Sequence, residues 1–311
     1  MELNSIEAVR LGGKRALSEA LARAEYSFHT DEVTALLDEA YAKPTAHVVG
    51  FTGPPGVGKS TLINGLIKAW RGLERRVAVI AVDPSSHKTG GALLGDRTRM
   101  ITDPEDQGVF VRSLASRGQL GGVSELTFPA IVLMRALYDV VIVETVGVGQ
   151  SEADITGHAD SVVLCVQPGS GDSLQFMKSG IMEIPDIAVV TKGDMEREAT
   201  RAISDLKGAL SLTSSGGAGM EPAVLKVSAR RDEGMTDLID AIDSHYRCLQ
   251  DDNRLDAGRD TQAAKWLEAS IRREYGAKGY ALVKDQLTII GKGPFKKQHM
   301  VTKGLTVAFK A

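Results

Sequence analysis

Residues 51–61 read Phe-Thr-Gly-Pro-Pro-Gly-Val-Gly-Lys-Ser-Thr, and this stretch decides the fold of the chain. The positions that match the pattern G-x-x-x-x-G-K-[ST] are Gly53, Gly58, Lys59 and Ser60. An apolar run at 46–51 precedes the pattern, and a helical pattern at 61–70 follows it. A glycine turn between a strand and a helix is the context that separates a phosphate-binding P-loop from a chance match in a glycine-rich chain.

The P-loop predicts a nucleoside triphosphate site. Its backbone N–H groups and the N-terminus of the following helix face an anion. Lys59 adds a positive charge for the β- and γ-phosphates, and the Ser60 hydroxyl is placed to reach Mg²⁺. The residues predicted to line the phosphate site are Gly53, Pro54, Pro55, Gly56, Val57, Gly58, Lys59, Ser60 and Thr61.

The composition narrows the class of protein. The chain has 311 residues, 43% of them hydrophobic, which is enough for one large α/β domain with helical additions or for two domains. A net charge of −3 predicts neither a nucleic-acid partner nor an anionic membrane surface. No apolar run reaches about 18 residues, so no membrane-spanning helix is expected. The start shows no secretory signal pattern and the cysteines are Cys165 and Cys248, so we expect a reducing, cytoplasmic location.

Continuous apolar runs alternate with helical patterns over most of the chain. The predicted strands are 46–52, 77–83, 108–112, 139–145, 161–167, 186–191 and 224–228. The predicted helices among them are 59–71, 123–137, 172–182, 195–210 and 235–249. Strands that are apolar throughout indicate a sheet covered on both faces. The predicted fold is therefore α/β, with a mostly parallel sheet flanked by helices and with ligands at the carboxyl ends of the strands.

Helical segments flank this α/β region on both sides. Residues 6–42 carry helical periodicity with a break at 29–31, which predicts a helical hairpin. Residues 251–260 are polar and charged and are interpreted as a linker, followed by a helix at 261–275. The predicted division of the chain is an N-terminal helical extension at 1–45, a nucleotide domain at 46–250 and a C-terminal helix and tail at 251–311.

Two aspartates near the P-loop are candidates for Mg²⁺ chemistry. Asp83 ends a predicted strand, where a carboxylate can hold a metal-bound water or the attacking water. Asp83 also begins the run Asp-Pro-Ser-Ser, so capping of a turn is the alternative. Asp96 lies in a loop with several glycines at 87–99 and is placed to reach the metal, although a solvated loop is the alternative there.

A further strand, 139–143, runs into Glu-Thr-Val-Gly-Val-Gly-Gln at 144–150, which is the layout of a nucleotide-dependent switch. Glu144 is predicted to approach Mg²⁺ through water, and the Gly147 N–H is predicted to sense the γ-phosphate. A strand-end acid beside a glycine turn is the alternative. Val148 stands where many small GTPases carry a glutamine that orients water, so we predict slow intrinsic hydrolysis.

The run Thr191-Lys192-Gly193-Asp194 follows another strand and is close to the guanine signature N-K-x-D. A carboxylate at Asp194 can accept from guanine N1–H and from its 2-amino group, whereas adenine would leave the carboxylate unpaired. The Lys192 stem can lie over the purine face. Thr191 departs from the usual asparagine, which puts the hydrogen bonds of that asparagine in doubt. Backbone N–H groups at Ser228 and Ala229 are candidates for guanine O6.

Several of these segments together resemble the MeaB/ArgK-type GTPases over roughly residues 6–275. The segments that carry the resemblance are 53–61, 82–86, 90–100, 144–152 and 171–184. The resemblance implies a homodimeric chaperone of an adenosylcobalamin-dependent acyl-CoA mutase, typically methylmalonyl-CoA mutase, that uses GTP to gate cofactor loading. Adenosylcobalamin would then be bound by the partner enzyme, and 251–311 would be the dimerisation segment.

The resemblance also implies roles for individual residues. Those matching phosphate and Mg²⁺ positions are Lys59, Ser60, Asp83, Asp96 and Glu144, and those matching the base site are Thr191, Lys192 and Asp194. A mobile loop that couples the nucleotide to the mutase would contain Asp172, Gln175 and Lys178. A capped helix is the alternative interpretation of that loop, with Asp172 near its N-terminus.

Two other functions are compatible with a P-loop of this kind. A metal-delivering GTPase should show a cluster of cysteine and histidine, and the six histidines of this chain are scattered. An ATPase or kinase that serves amino-acid transport would need to bind adenine, which Asp194 disfavours.

Overall fold

A computed structural model describes residues 4–27, 30–83, 100, 102–115, 126–145, 154–169, 183–213, 221–289 and 293–309. Within these residues, seven strands form one sheet in the order β3-β2-β4-β1-β5-β6-β7, and every neighbouring pair is parallel. The strands are β1 (His47–Thr52), β2 (Val77–Asp83), β3 (Val109–Ala115), β4 (Val140–Thr145), β5 (Ser161–Val166), β6 (Ile187–Val190) and β7 (Ala223–Lys226). The prediction of an α/β fold with a mostly parallel sheet is confirmed.

The central strands are apolar because both of their faces are covered. All six residues of β1 are buried, and so are all six of β4 and of β5. The chain leaves β1, crosses to β2 on one side and later returns to β5 on the other, so the strand order reverses at β1. Ligands of open parallel sheets bind beyond the carboxyl end of the strands at such a reversal, which is where the P-loop lies.

The chain divides into two compact units. The first, the sheet unit, comprises the described residues of 47–124 and 140–252. Its helices are α3 (Lys59–Gly72), α5 (Glu196–Thr213) and α6 (Met235–Asp251), and a short 3₁₀ helix spans Asp154–Gly157. One side chain that fills its core is Trp70, which is fully buried at the end of α3.

The second, the helical unit, comprises the described residues of 1–46, 125–139 and 253–311. Its helices are α1 (Ile6–Tyr26), α2 (Asp31–Ala42), α4 (Thr127–Arg135), α7 (Arg254–Val283) and α8 (Pro294–Ala308). An aromatic cluster joins three of them, with ring centroids of Phe128 and Trp266 5.1 Å apart and those of Trp266 and Phe295 4.9 Å apart. The three-part division of the chain into 1–45, 46–250 and 251–311 stays a prediction.

The interpretation of 251–260 as a linker is wrong, because α7 begins at Arg254. Its polar residues are helical because tertiary contacts hold them. The buried Arg259 donates from Nη2 to the Ala46 carbonyl at 2.9 Å, and Tyr41 donates from its hydroxyl to Asp260 Oδ1 at 2.7 Å. The predicted helix at 261–275 is therefore the middle of a longer one, which bends at Gly276, where φ is +66°.

Helix α8 was not predicted from the sequence. It starts with Pro294 at its first turn, a position where the missing proline N–H costs nothing. The carboxylate of Asp38 in α2 accepts hydrogen bonds from the Phe295 and Lys296 amides at 3.1 and 3.0 Å. A side chain more than 250 residues away thus caps this helix, which no local pattern could show.

The predicted helix at 172–182 lies outside the described residues. Among the helices that are described, we find none with the length and apolar character needed to cross a membrane.

Candidate functional site

The P-loop follows β1 and has three glycines with positive φ. Gly53 has φ +133°, and a Cβ there would lie 2.2 Å from the Cys165 carbonyl oxygen of β5. Gly56 and Gly58 have φ of +78° and +99°, and a Cβ on either would meet no described protein atom within 4 Å. Glycine is thus required at Gly53 by the neighbouring strand, and at the other two by backbone conformation. The open space beside them is suited to an anion.

Helix α3 presents its N-terminus to this space. Gly58 is its N-cap residue and has no side chain to satisfy the first amides of the helix. Lys59 is the first helical residue and is buried, with an exposed fraction of 6%. Its Nζ donates to the Gly53 and Pro54 carbonyls at 2.6 and 3.0 Å. The ammonium is therefore held inside the loop, where it can meet a phosphate.

Ser60, in the first turn of α3, lies beside Glu144, near the carboxyl end of β4. The Ser60 hydroxyl donates to Glu144 Oε1 at 2.9 Å, although 84 residues separate the two along the chain. Glu144 is buried near the end of β4, which pairs directly with β1. Oxygen ligands of this type suit Mg²⁺, so the donor set fits the metal that a nucleoside triphosphate brings.

Asp83 is the last residue of β2, and β2 pairs with β4. Its backbone therefore reaches the same edge of the sheet as Glu144. Five other residues predicted for the site or for its nucleotide-dependent loops lie outside the described residues. They are Asp96, Gly147, Asp172, Gln175 and Lys178.

Thr191, which was predicted for the base site, is tied to the P-loop. Its hydroxyl lies 2.6 Å from the Val57 carbonyl oxygen and 3.0 Å from that of Val166 at the end of β5. Thr191 is buried, and its amide donates to the Val166 carbonyl at 2.8 Å. Thr191 thus makes a side-chain contact to the P-loop, the contact that its departure from asparagine had put in doubt.

Asp194 is held in a charged form by its neighbours. Ser228 donates from Oγ to Asp194 Oδ1 at 2.9 Å. This hydrogen bond is the largest cause that lowers the pKa of Asp194 below its ordinary value of 3.8, and the positive charges of Arg231 and Arg230 act in the same direction. The Ser228 amide is engaged elsewhere, since it donates to the Glu233 carbonyl at 3.0 Å. An ionised acceptor therefore faces the site at neutral pH.

A cavity of about 300 Å³ lies beside the P-loop and the segment 191–194 within the sheet unit. It is lined by residues that include Val57, Gly58, Thr191, Asp194, Ala229 and Arg230. Its lining therefore joins the P-loop residues Val57 and Gly58 to the Asp194 carboxylate. The carboxylate offers an acceptor for a base that presents hydrogen-bond donors.

Sequence reasoning missed two residues of this site. Arg230 lines the cavity, and Gln167 accepts a hydrogen bond from Lys192 Nζ through its side-chain oxygen. Neither belongs to a recognised motif. Their only signal in the sequence is position, because Gln167 directly follows β5 and Arg230 comes soon after β7.

Comparison with protein families matches residues 15–280 to the methylmalonyl-CoA mutase-associated GTPase family MeaB. Among curated proteins, a putative GTPase of Pyrococcus horikoshii is 43% identical over 270 residues, which is 86% of this chain and 84% of that protein. The GTPase ArgK of Escherichia coli is 37% identical over 279 residues, 87% of this chain and 83% of that protein.

A third relative is the mouse mitochondrial protein named methylmalonic aciduria type A homolog. It is 41% identical over 228 residues, which is 72% of this chain and 55% of the mouse protein. Among solved structures, that of a LAO/AO transport system kinase superposes with a TM-score of 0.68 and covers 98% of this chain. At 24% identity, this likeness supports the fold. The family match covers most of the chain, and the chain therefore belongs to the MeaB family of P-loop GTPases.

Proposed function

We propose that this GTPase is a chaperone of an adenosylcobalamin-dependent acyl-CoA mutase, such as methylmalonyl-CoA mutase. GTP would gate the loading of the cofactor into the mutase and protect that enzyme. The match of residues 15–280 to a family described by its association with methylmalonyl-CoA mutase carries this proposal. The name of the mouse relative, which refers to methylmalonic aciduria, supports the same partner.

The phosphate end of the site would bind GTP as its Mg²⁺ complex. Lys59 would neutralise the β- and γ-phosphates, because its ammonium already lies within the P-loop. Ser60 and Glu144 would hold the metal, with Asp83 and Asp96 as further acidic groups. When bound, Mg²⁺ supplies positive charge that stabilises the phosphate oxygens. The hydrogen bond between Ser60 and Glu144 holds these two oxygens close together.

The other end of the site would select guanine. The ionised Asp194 would accept from N1–H and the 2-amino group, and the hydrogen bond from Ser228 would fix its orientation. Because the Ser228 amide already donates to Glu233, we assign the contact with O6 to the Ala229 amide. The Lys192 stem would cover the purine face. Thr191 would keep the base loop, residues 191–194, in register with the P-loop.

Hydrolysis would be slow until the partner binds, because Val148 cannot orient a water molecule. Gly147 would sense the γ-phosphate, and the segment with Asp172, Gln175 and Lys178 would transmit the nucleotide state to the mutase. The expected result is a low turnover number for the chain alone and a clear increase when the cognate mutase is added. An unchanged rate with every cobalamin-dependent mutase tried would count against partner activation.

The C-terminal segment 251–311 would mediate a homodimer. Residues of α7 and α8 line an apolar groove of about 730 Å³, and its walls include the exposed side chains of Leu282 and Met300. Light scattering after size exclusion tests this proposal. Met300→Glu should shift a dimer toward monomer, while Lys303→Glu, an exposed change on the same helix but outside the groove, should not. A wild-type chain that is monomeric at all concentrations would refute the dimer.

The partner proposal is tested by direct binding. The chain loaded with a non-hydrolysable GTP analogue or with GDP is mixed with purified methylmalonyl-CoA mutase, and complex formation and adenosylcobalamin transfer are measured. We expect a complex in which cofactor transfer depends on the nucleotide. Lys59→Ala should remove that dependence. No complex with this or another cobalamin-dependent acyl-CoA mutase would overturn the proposal.

Nucleotide choice separates this function from that of an ATPase or kinase in amino-acid transport. Calorimetry with GDP and ADP gives the answer without a partner. The Asp194 carboxylate predicts a strong preference for GDP. Equal affinities would favour the ATPase alternative.

A further inference from the structure

The side chain of Gln167 contacts the base loop from the neighbouring strand. Gln167 is the first residue after β5, and β5 lies between β1 and β6 in the sheet. The P-loop follows β1 and Lys192 follows β6, so Gln167 stands between them. Its Oε1 accepts a hydrogen bond from Lys192 Nζ, which also lies 3.4 Å from the Gly56 carbonyl oxygen of the P-loop.

Lys192 needs such an anchor. Its side chain is exposed, and a long exposed lysine samples many rotamers when nothing holds its ammonium. Its backbone adopts a left-handed conformation with φ of +53°, which directs the chain from the buried Thr191 toward Asp194. The contact with Gly56 at 3.4 Å is long for a hydrogen bond, so the amide of Gln167 is the closer of the two acceptors.

We propose that Gln167 is a positioning residue of the nucleotide site. It holds the Lys192 ammonium so that the alkyl stem lies against the face of the purine. This inference rests on the proposed guanine nucleotide site and adds to it a residue outside the N-K-x-D-like motif. The amide oxygen suits this task, since it accepts a hydrogen bond from the ammonium.

The Lys192 stem and the Asp194 carboxylate would contact different parts of a base. The stem of Lys192 would contact any purine, whereas Asp194 distinguishes purines by their edge groups. Loss of the Gln167 contact should therefore weaken GDP and IDP by the same factor. Loss of Asp194 should weaken GDP more than IDP, because IDP lacks the 2-amino group.

The test measures GDP and IDP dissociation constants by calorimetry for Gln167→Ala and Gln167→Glu. We expect Gln167→Ala to weaken both nucleotides by about 3- to 10-fold, the effect of one partly exposed charged hydrogen bond. Gln167→Glu retains an acceptor for the ammonium and should bind within about 2-fold of wild type. Unfolding temperatures of both variants serve to exclude a general loss of structure.

A double-mutant cycle makes the test specific. Lys192→Met keeps an alkyl chain but removes the ammonium, so adding Gln167→Ala to this variant should cause no further loss. An equal loss in both backgrounds, or no loss in either, would overturn the inference. If Gln167→Ala unfolds, the comparison of Gln167→Glu with Gln167→Leu decides, since Leu has no acceptor. Failure of the wild-type chain to bind GDP would instead refute the proposed function.

Discussion

The hydroxyl of Thr191 lies 2.6 Å from the carbonyl oxygen of Val57, and this hydrogen bond joins the base loop to the P-loop. The two residues are 134 positions apart in the chain. A second carbonyl, that of Val166, lies 3.0 Å from the same hydroxyl. A threonine has a single hydroxyl proton, so the shorter contact to Val57 is the main one. Thr191 therefore ties the segment 191–194 to the P-loop, the two parts of the proposed nucleotide site.

Replacing Thr191 by valine should weaken nucleotide binding. Valine has nearly the same shape but leaves the buried Val57 carbonyl without this donor, a loss of about 1–2 kcal/mol. We expect GDP affinity to fall by about 5- to 30-fold in calorimetry. Thr191→Ser keeps the hydroxyl and should stay close to wild type. Equal affinity of the valine variant and the wild type would show that the contact does not align the site.

Replacing Asp194 by asparagine should change which base the site accepts. The asparagine amide offers one donor and one acceptor, and xanthine offers the matching pair at its 2-carbonyl and N1–H. We expect GDP affinity to fall by about 100-fold or more and XDP to bind more tightly than GDP. Competition binding with both nucleotides checks this exchange. Ser228→Ala is the matched control, because it loses only the orienting hydrogen bond and should reduce GDP affinity without favouring XDP.

Replacing Glu144 by glutamine should impair metal-dependent GTP hydrolysis but leave metal-independent GDP binding unchanged. The glutamine amide keeps an oxygen that accepts from Ser60, but the negative charge is lost. We expect GTP hydrolysis to fall by about 10-fold or more, as for loss of a charged metal-site group. GDP affinity in EDTA should change little.

Ser60 provides the companion experiment. Ser60→Ala removes one of the two oxygens and should act like Glu144→Gln, whereas Ser60→Thr retains the hydroxyl and should preserve hydrolysis. The GTP hydrolysis rates of the Ser60 variants and of Glu144→Gln are measured across a Mg²⁺ titration. Rates of Ser60→Ala and Glu144→Gln that match the wild type at every Mg²⁺ concentration would remove these two residues from the metal site.

The stability of the sheet unit should decline at mildly acidic pH because of His158. Burial lowers the pKa of His158 from 6.5 to about 4, and its Nδ1 has no hydrogen-bond partner among the described residues. Between these values the unfolded chain binds a proton that the folded chain excludes, so the free energy of unfolding falls as pH decreases from 6.5 toward 4. The loss should reach about 2 kcal/mol at pH 5, from about 1.4 kcal/mol per pH unit.

Urea denaturation at pH 7 and pH 5 measures this contribution. His158→Leu removes the titrating group from its buried position, so the variant should lose less stability between the two pH values than wild type. Identical pH dependence in wild type and His158→Leu would contradict the prediction.

Much of the fold could be predicted because its signals are local. Each of these elements lies within fewer than about 15 residues: the individual apolar strands, the glycine turn at 53–58 and the helix that follows it. Errors arose where distant contacts overrule the local pattern. The charged stretch at 251–260 is helical because Arg259 and Asp260 bond to Ala46 and Tyr41, on segments more than 200 residues away.

The sequence by itself determined that a P-loop follows a buried parallel strand and that Asp194 suits a guanine base, because these properties depend on residue type and short spacing. Only the tertiary structure decided how the two halves of the site are joined. Thr191 meets Val57, Ser60 meets Glu144 and Gln167 meets Lys192 because the order of β4, β1, β5 and β6 in the sheet brings their carboxyl ends side by side. Strand order is a long-range property, and no short segment encodes it.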